Sequence, residues 1–172
     1  GREFRDTAND VAFKAMGLAY AALPFAFLPL IKSMHQGEMW ILFLFAVIWA
    51  NDTLAFAVGK SIGRHKLCPE ISPKKTVEGA VGGLIGGMTA AFFLSFWIEG
   101  PLWVLIVVSI ALGIIGIIGD LSESVLKRAA GVKDSGALLP GHGGVLDRVD
   151  SLLFAIPALY FFLQLKTLFA GG

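Results

Sequence analysis

The sequence predicts an all-α, polytopic membrane protein with about five transmembrane helices and cytoplasmic polar loops. Of its 172 residues, 56% are hydrophobic, and the mean hydropathy is +0.75. A soluble domain is rarely so apolar. The length suits about five spans, since each needs ~20 residues. The apolar runs are long and continuous, and an open sheet cannot span lipid, so strands are not expected.

The predicted spans follow one another along the chain. The first covers residues 11–31 and includes Pro24 and Pro29, which predict kinks. The others cover residues 39–58, 77–98, 102–119 and 151–169, and the fourth is expected to continue as a polar helix through Arg128. Residues 1–172 form a single membrane-embedded domain in this prediction. Because the chain begins with Gly rather than Met, we expect further helices upstream in the natural protein.

Basic residues concentrate in alternate connections between the spans. Twelve of the fourteen Lys and Arg residues follow this pattern: Arg2, Arg5, Lys14, Lys60, Arg64, Lys66, Lys74, Lys75, Lys127, Arg128, Lys133 and Arg148. The positive-inside rule places the N-terminus and both long polar loops in the cytoplasm and the C-terminus outside. No nucleic-acid partner is predicted, because these residues lie at the membrane border without interleaved aromatic residues.

The end of the fourth helix carries a polar stripe. At 3.6 residues per turn, four side chains fall on one face: Asp120, Glu123, Ser124 and Lys127. Such a stripe is typical of a site that faces another polar cluster. The alternative is a solvated helix end with pairs four residues apart.

A second acidic cluster contains Asp147 and Asp150, which point the same way on a helix. Asp120 comes close to both if the fourth and fifth helices meet on one side of the membrane. Carboxylates at this spacing suit Mg²⁺ that also binds substrate phosphates. The alternative is that Asp150 or Ser151 only caps the fifth helix.

The segment between these clusters contains Lys133 and a glycine-rich turn with His142 and Gly143. Glycines let backbone N–H groups turn toward an anion, so this segment is a candidate phosphate-binding loop. His142 is a poor candidate for a zinc ligand, because no second His or Cys lies at ligand spacing.

The connection before the third helix ends with Lys74, Lys75 and Thr76. Thr76 is a candidate N-cap, and a helix N-terminus beside two lysines can bind an anion. The alternative is a basic collar that contacts lipid headgroups.

Asp52 lies within the second span, where a carboxylate costs ~2.5–3.5 kcal/mol on insertion scales. The sequence is compatible with two roles for Asp52, one in function and one in structural hydrogen bonding.

The third span carries glycines at three- and four-residue steps, which predict a helix-packing face rather than a phosphate loop. They are Gly79, Gly82, Gly83, Gly86 and Gly87. The same face is compatible with a homodimer.

The residues from Ser124 to Asp150 read S-x-x-K-R-x4-K-D-x-G-x3-P-G-H-G-G-x-x-D-R-x-D. This pattern resembles the signature of the phosphatidate cytidylyltransferases, also called CDP-diacylglycerol synthases. Weaker agreement extends upstream to Asp52, so the resemblance covers roughly residues 50–151.

The resemblance implies transfer of a cytidylyl group from CTP to phosphatidate, with Mg²⁺, alone or with a second cation, as cofactor. The implied metal ligands are Asp120, Asp147 and Asp150. The implied phosphate-binding cations are Lys127, Arg128, Lys133 and Arg148, supported by Ser124, His142 and Gly143. Lys74, Lys75 and Thr76 would hold the lipid phosphate or CTP, with Asp52 facing the site. The protein would contact membrane lipids in the bacterial inner (cytoplasmic) membrane, with its active site facing the cytoplasm.

Three other functions remain open from the sequence. A CTP-dependent lipid kinase would pass a phosphoryl group to a lipid alcohol. An ion-coupled transporter would also bury acidic residues, but near the membrane midplane. An inactive chain could act as a scaffold for a partner. Dependence on CTP and Mg²⁺ separates the enzymes from the other two.

Overall fold

The structure is a computed structural model that describes residues 2–132, 146 and 149–170. Within these ranges the chain forms helices and one small sheet. The helices are α1 (Arg2–Ala22), α2 (Phe27–Lys32), α3 (Gly37–Ile62), α4 (Val77–Leu94), α5 (Leu102–Ala129) and α6 (Asp150–Ala170), and the strands are β1 (Lys66–Cys68) and β2 (Ser72–Thr76).

Five helical segments in the described part of the chain are long and apolar enough to cross a membrane. They are Thr7–Lys32, Gly37–Ile62, Val77–Leu94, Leu102–Ala129 and Asp150–Leu168. The predicted all-α, polytopic fold is therefore confirmed. The first segment is kinked as expected, since a 3-10 turn at Pro24–Ala26 separates α1 from α2. The fourth helix also continues unbroken beyond its apolar part, to Ala129.

A short antiparallel hairpin joins α3 to α4. In it, Lys66 pairs with Thr76 and Cys68 pairs with Ser72. The expectation of no strands was wrong for this connection. Lipid excludes an open sheet only within the spans, whereas this segment is polar and lies between two of them.

The two short turns of the chain meet at one end of the helices. The backbone N–H of Glu99 donates to Oε1 of Gln36 (2.9 Å), and Nε2 of His35 lies 3.0 Å from Oε2 of Glu99. Trp97 and Trp103 are exposed near this end, as in the aromatic belts at membrane surfaces. The hairpin, the polar end of α5 and the start of α6 lie at the opposite end, as the alternating charge predicted.

The core between α3, α5 and α6 consists of large apolar side chains. Trp40, Phe43, Leu44, Val47 and Ile48 of α3 are all at most 1% exposed. They belong to one buried cluster with residues of α5 and α6. Large apolar side chains also cover the outside of the helices, as expected for surfaces that face lipid.

Helices α3 and α4 pack closely through the glycines of α4. A Cβ atom at Gly86 would lie 2.7 Å from the Ala50 carbonyl oxygen, and one at Gly83 would lie 2.8 Å from that of Asn51. The predicted packing face is thus used within the chain, against α3. It is buried and does not offer a surface to a second copy of the chain.

The start of α4 is fixed by two sets of hydrogen bonds. The Thr76 hydroxyl accepts from the backbone N–H of Gly79 (3.1 Å), which confirms the predicted N-cap. The Glu78 carboxylate accepts from the backbone N–H groups of Arg64 and His65 (3.1 and 3.2 Å), and Nδ1 of His65 lies 2.6 Å from Oε1. These bonds hold the hairpin against the helix that follows it.

We expect Gly86→Ala to lower the free energy of unfolding by about 1–3 kcal/mol, the usual cost of overpacking. The new methyl group meets a backbone carbonyl of α3, which cannot turn aside, so the higher helix propensity of alanine does not compensate. Thermal unfolding in detergent measures the effect. Gly17→Ala is the control, because a Cβ there meets nothing within 4 Å. Equal melting temperatures for the two variants would contradict the close packing.

We expect Thr76→Val to lower the free energy of unfolding by about 1 kcal/mol, because it keeps the shape of the side chain and removes the capping oxygen. Thr76→Ser keeps the oxygen and should retain most of the stability. Thermal unfolding of the two variants tests the cap. A serine variant as unstable as the valine variant would show that the methyl group matters and the hydrogen bond does not.

Candidate active site

A cavity of about 750 Å³ lies at the hairpin end of the helices. Residues of α3, both strands, α4, α5 and α6 line it. Its charged and capping residues are Asp52, Lys60, Lys66, Lys74, Lys75, Thr76, Asp120 and Asp150. The cavity therefore brings together groups that lie up to 98 positions apart in the sequence.

The shortest ion pair of the cavity joins the hairpin to α5. Nζ of Lys75 lies 2.5 Å from Oδ2 of Asp120, and the two side chains are 23% and 30% exposed. The hairpin positions Lys75 next to the capped start of α4, while Asp120 lies where α5 changes from apolar to polar. Two segments predicted separately as an anion site and a metal site thus meet in one place.

Two further carboxylates face Asp120 across the cavity. Asp52 and Asp150 each lie close enough to Asp120 for electrostatic repulsion, and Asp52 is also attracted by Lys75. Oδ1 of Asp150 also accepts from the backbone N–H of Ser151 at 2.7 Å, within the first turn of α6. Asp52 remains accessible although it lies within a span, because it faces the cavity.

The predicted stripe at the end of α5 divides into two groups. Asp120 lines the cavity, whereas Glu123 is 1% exposed and lies 3.1 Å from Nζ of Lys127. The Tyr20 hydroxyl of α1 is buried beside this pair and interacts electrostatically with Glu123, Asp150 and Lys127. A second polar cluster therefore lies next to Asp150.

Three more lysines make the hairpin side of the cavity basic. Lys66 and Lys74 are exposed residues of the two strands, and Lys60 lies in the last turn of α3, 5.7 Å from the centre of the Phe56 ring. All three ammonium groups can attract a multiply charged anion, because the cavity concentrates their field.

The structure places the predicted site residues in three groups. Those that line the cavity are Asp52, Lys74, Lys75, Thr76, Asp120 and Asp150. Those that are described on α5 without lining it are Ser124, Lys127 and Arg128. Those that lie outside the described residues are Lys133, His142, Gly143, Asp147 and Arg148.

Four residues near the site were not predicted as site residues. The pairing of Lys66 with Thr76 carries Lys66 to the cavity, so an anticipated hairpin would have found it. In the sequence, Lys60 was noted only as one residue of a basic connection, and Glu123 only as one residue of the polar stripe. Tyr20 gave no signal, because a single tyrosine in an apolar span is unremarkable in sequence.

The carboxylates of the cavity fit a hard divalent cation. Asp120 and Asp150 supply oxygen donors, which Mg²⁺ prefers, and Asp52 adds further negative charge close by. Within residues 2–132, 146 and 149–170, no three acidic, His or Cys side chains already form a metal-binding group. The third predicted ligand, Asp147, lies outside these ranges.

The chain is similar to staphylococcal proteins named phosphatidate cytidylyltransferase. It is 46% identical over 152 residues to the proteins of Staphylococcus saprophyticus and Staphylococcus haemolyticus, and 43% identical to that of Staphylococcus aureus. Each alignment covers 87% of this chain and 58% of the relative. The chain thus spans a little over half the length of these curated relatives.

Two other comparisons cover most of the chain. A solved intramembrane enzyme for archaeal membrane lipid biosynthesis has a TM-score of 0.46 and 20% identity, covering 73% of this chain and 90% of that one. The model of the cytidylyltransferase family matches residues 2–166. The match extends over nearly the whole sequence and includes every residue that lines the cavity. The chain belongs to the cytidylyltransferase family.

Proposed function

We propose that the chain transfers the cytidylyl group of CTP to phosphatidate, giving CDP-diacylglycerol and pyrophosphate. The observation that carries the proposal is the cavity in which carboxylates of α3, α5 and α6 face lysines of the hairpin, at one end of the spans. The names of the staphylococcal relatives supply the substrate class.

The proposed reaction needs no base to activate a hydroxyl group. A phosphate oxygen of phosphatidate is already anionic and attacks the α-phosphorus of CTP. The bond from this phosphorus to the bridging oxygen breaks, and pyrophosphate leaves with the electron pair. The main demand on the protein is to bring two anions together and stabilise the negative charge on the leaving group.

The lysines of the hairpin meet part of this demand. Lys66, Lys74 and Lys75 line one side of the cavity, where their ammonium groups attract and orient phosphates. Lys127 and Arg128, with Lys133 and Arg148, would add cations from the α5–α6 connection, with Ser124, His142 and Gly143 in support. Arginine suits bidentate contacts to phosphate.

The carboxylates of the cavity would repel both substrates unless a cation neutralises them. Asp120, Asp147 and Asp150 would hold Mg²⁺, alone or with a second cation. When bound there, Mg²⁺ supplies positive charge to the phosphates and to the pyrophosphate that departs. Asp52 would contribute to the same field from α3.

We place the protein in the bacterial inner (cytoplasmic) membrane, with the cavity open to the cytoplasm. The five apolar helices support an integral membrane protein. The basic residues of the hairpin end favour the cytoplasmic side by the positive-inside rule. CTP is then available from the cytoplasm and phosphatidate from the membrane.

The other candidate functions lack comparable support. A lipid kinase would need a base beside a lipid hydroxyl and would release CDP instead of pyrophosphate. A transporter would have its charged groups near the midplane of the membrane, whereas most charged residues of this cavity lie in the hairpin or at helix ends: Lys60, Lys66, Lys74, Lys75 and Asp150.

The purified protein in detergent should release pyrophosphate from CTP only when phosphatidate and Mg²⁺ are both present. We expect Asp120→Asn, Asp147→Asn and Asp150→Asn each to lower the rate about 100-fold or more, because each weakens charge stabilisation by several kcal/mol. Release of pyrophosphate or CDP by chromatography measures the reaction.

Glu99→Gln is the control for these variants, because Glu99 is exposed at the opposite end of the helices. Its rate should equal that of the unchanged protein. Release of CDP would indicate the kinase instead. Pyrophosphate release that does not depend on lipid would contradict the proposed acceptor.

Cys68 tests the proposed orientation, because it is the single cysteine and lies in β1 beside the cavity. A membrane-impermeant maleimide should label it in inside-out vesicles and leave it unlabelled in intact cells. A Cys68→Ser chain that carries Ser33→Cys, at the other end, should show the reverse. Labelling of Cys68 in intact cells would overturn the cytoplasmic assignment.

A further inference from the structure

We propose that Lys75 is a built-in counter-ion of Asp120 that a divalent cation displaces when it binds. Loading of the metal would then deliver the Lys75 ammonium group to the substrate phosphates. This inference rests on the proposed function, because it assigns the order in which the groups of that site act.

The position of Lys75 resembles that of a bound cation. Its Nζ atom is inaccessible to solvent and lies 2.5 Å from Oδ2 of Asp120. The carboxylate of Asp52 also attracts it, so the ammonium group interacts with two acidic side chains. Lys75 therefore neutralises part of the charge that a metal ion would neutralise.

A metal ion and the Lys75 ammonium group cannot both stay on Asp120 without strong repulsion. Like charges at contact distance in a partly buried site are poorly screened. Asp120 also interacts electrostatically with Asp150, which is another predicted metal ligand. A cation that binds both carboxylates would therefore expel the ammonium group from Asp120.

The backbone around Lys75 is fixed, so its side chain is the part that moves. The next residue, Thr76, caps α4, and Glu78 holds the segment that precedes β1. A lysine has a long flexible stem, which lets its ammonium group leave Asp120 while its Cα stays in place. Lys66 and Lys74 line the same cavity, so the freed group joins a basic surface already suited to phosphate.

Two consequences follow from this exchange. Without a metal, the cavity holds Lys75 in a pair, so only its other lysines attract phosphates. With a metal, both the metal and Lys75 attract them. Because coupling between sites is reciprocal, phosphate should also increase the affinity for the metal.

The test measures binding of Mn²⁺ by electron paramagnetic resonance to the purified protein in detergent, without CTP or lipid. Lys75→Met removes the competing charge and keeps the length of the side chain. We expect it to bind Mn²⁺ about tenfold more tightly than the unchanged protein, as for other close charge pairs. Lys75→Arg keeps the charge and should bind Mn²⁺ no more tightly than the unchanged protein.

Lys74→Met is the matched control, because Lys74 lines the same cavity but is exposed and adjacent in sequence. It should change Mn²⁺ affinity less than about twofold, as expected for a screened surface charge. Equal gains from Lys74→Met and Lys75→Met would overturn the proposal, since the effect would then be one of net charge. Mn²⁺ affinity that is unchanged or weaker in Lys75→Met would also overturn it.

The outcome for Lys75 is distinguishable from that for the proposed function. If Lys75→Met binds Mn²⁺ more tightly but the unchanged protein releases no pyrophosphate, the exchange is supported and the transferase function is contradicted. Normal phosphatidate-dependent release of pyrophosphate, with equal Mn²⁺ affinity in both proteins, would do the opposite. The melting temperature of each variant verifies that the compared samples are folded.

Discussion

The close packing of α3 on α4 determines where the polar groups of this protein can meet. The glycines of α4 let the two backbones approach until a single methyl group would clash with a carbonyl oxygen of α3. The hairpin between these helices is consequently short, and its lysines are held over the ends of the helices. Thr76 and Glu78 then fix the start of α4. Without the packing of α3 on α4, Lys75 in the hairpin could not reach Asp120, which lies on α5.

A second constraint is the charge that the cavity concentrates at one end of an apolar protein. Asp52 and Asp150 each repel Asp120, and Glu123 adds a fourth carboxylate close to Asp150. Lys75 and Lys127 offset part of this charge from opposite sides. The arrangement leaves the carboxylates with more negative charge than these two cations neutralise. In the proposed function, a metal ion held by these carboxylates would offset this charge and let two anionic substrates approach each other.

Much of the fold could be predicted from the sequence, because apolar runs of about 20 residues in a row have few alternatives. The break near Pro24, the polar extension of α5 and the cap at Thr76 each follow from local chemistry. The hairpin could not be predicted in the same way. Its short strands contain charged and small residues, and they form because α3 and α4 hold their ends together.

The site was predicted where its residues are close in sequence or lie on consecutive helices. Asp120 and Asp150 were expected to come close for this reason, and both line the cavity in the structure. The pairing of Lys75 with Asp120 required the packing of α4 on α5, which no periodicity reveals. Tyr20 illustrates the same limit, because only the fold brings α1 beside Glu123 and Asp150.

The buried carboxylate of Glu123, paired with Lys127, is better explained by function than by stability. Removing two charges from water costs several kcal/mol per ion, and replacing a buried pair by apolar side chains is often neutral or stabilising. A chain selected only for stability would therefore have no need to keep Glu123, which is 1% exposed, beside Lys127 in a helix bundle. The glycines of α4 have the opposite property, since they allow close packing against α3 and carry no reactive group. The molecule thus separates the two tasks along α4 and α5: small residues hold the helices together in the apolar part, and the charges collect where the helices leave it.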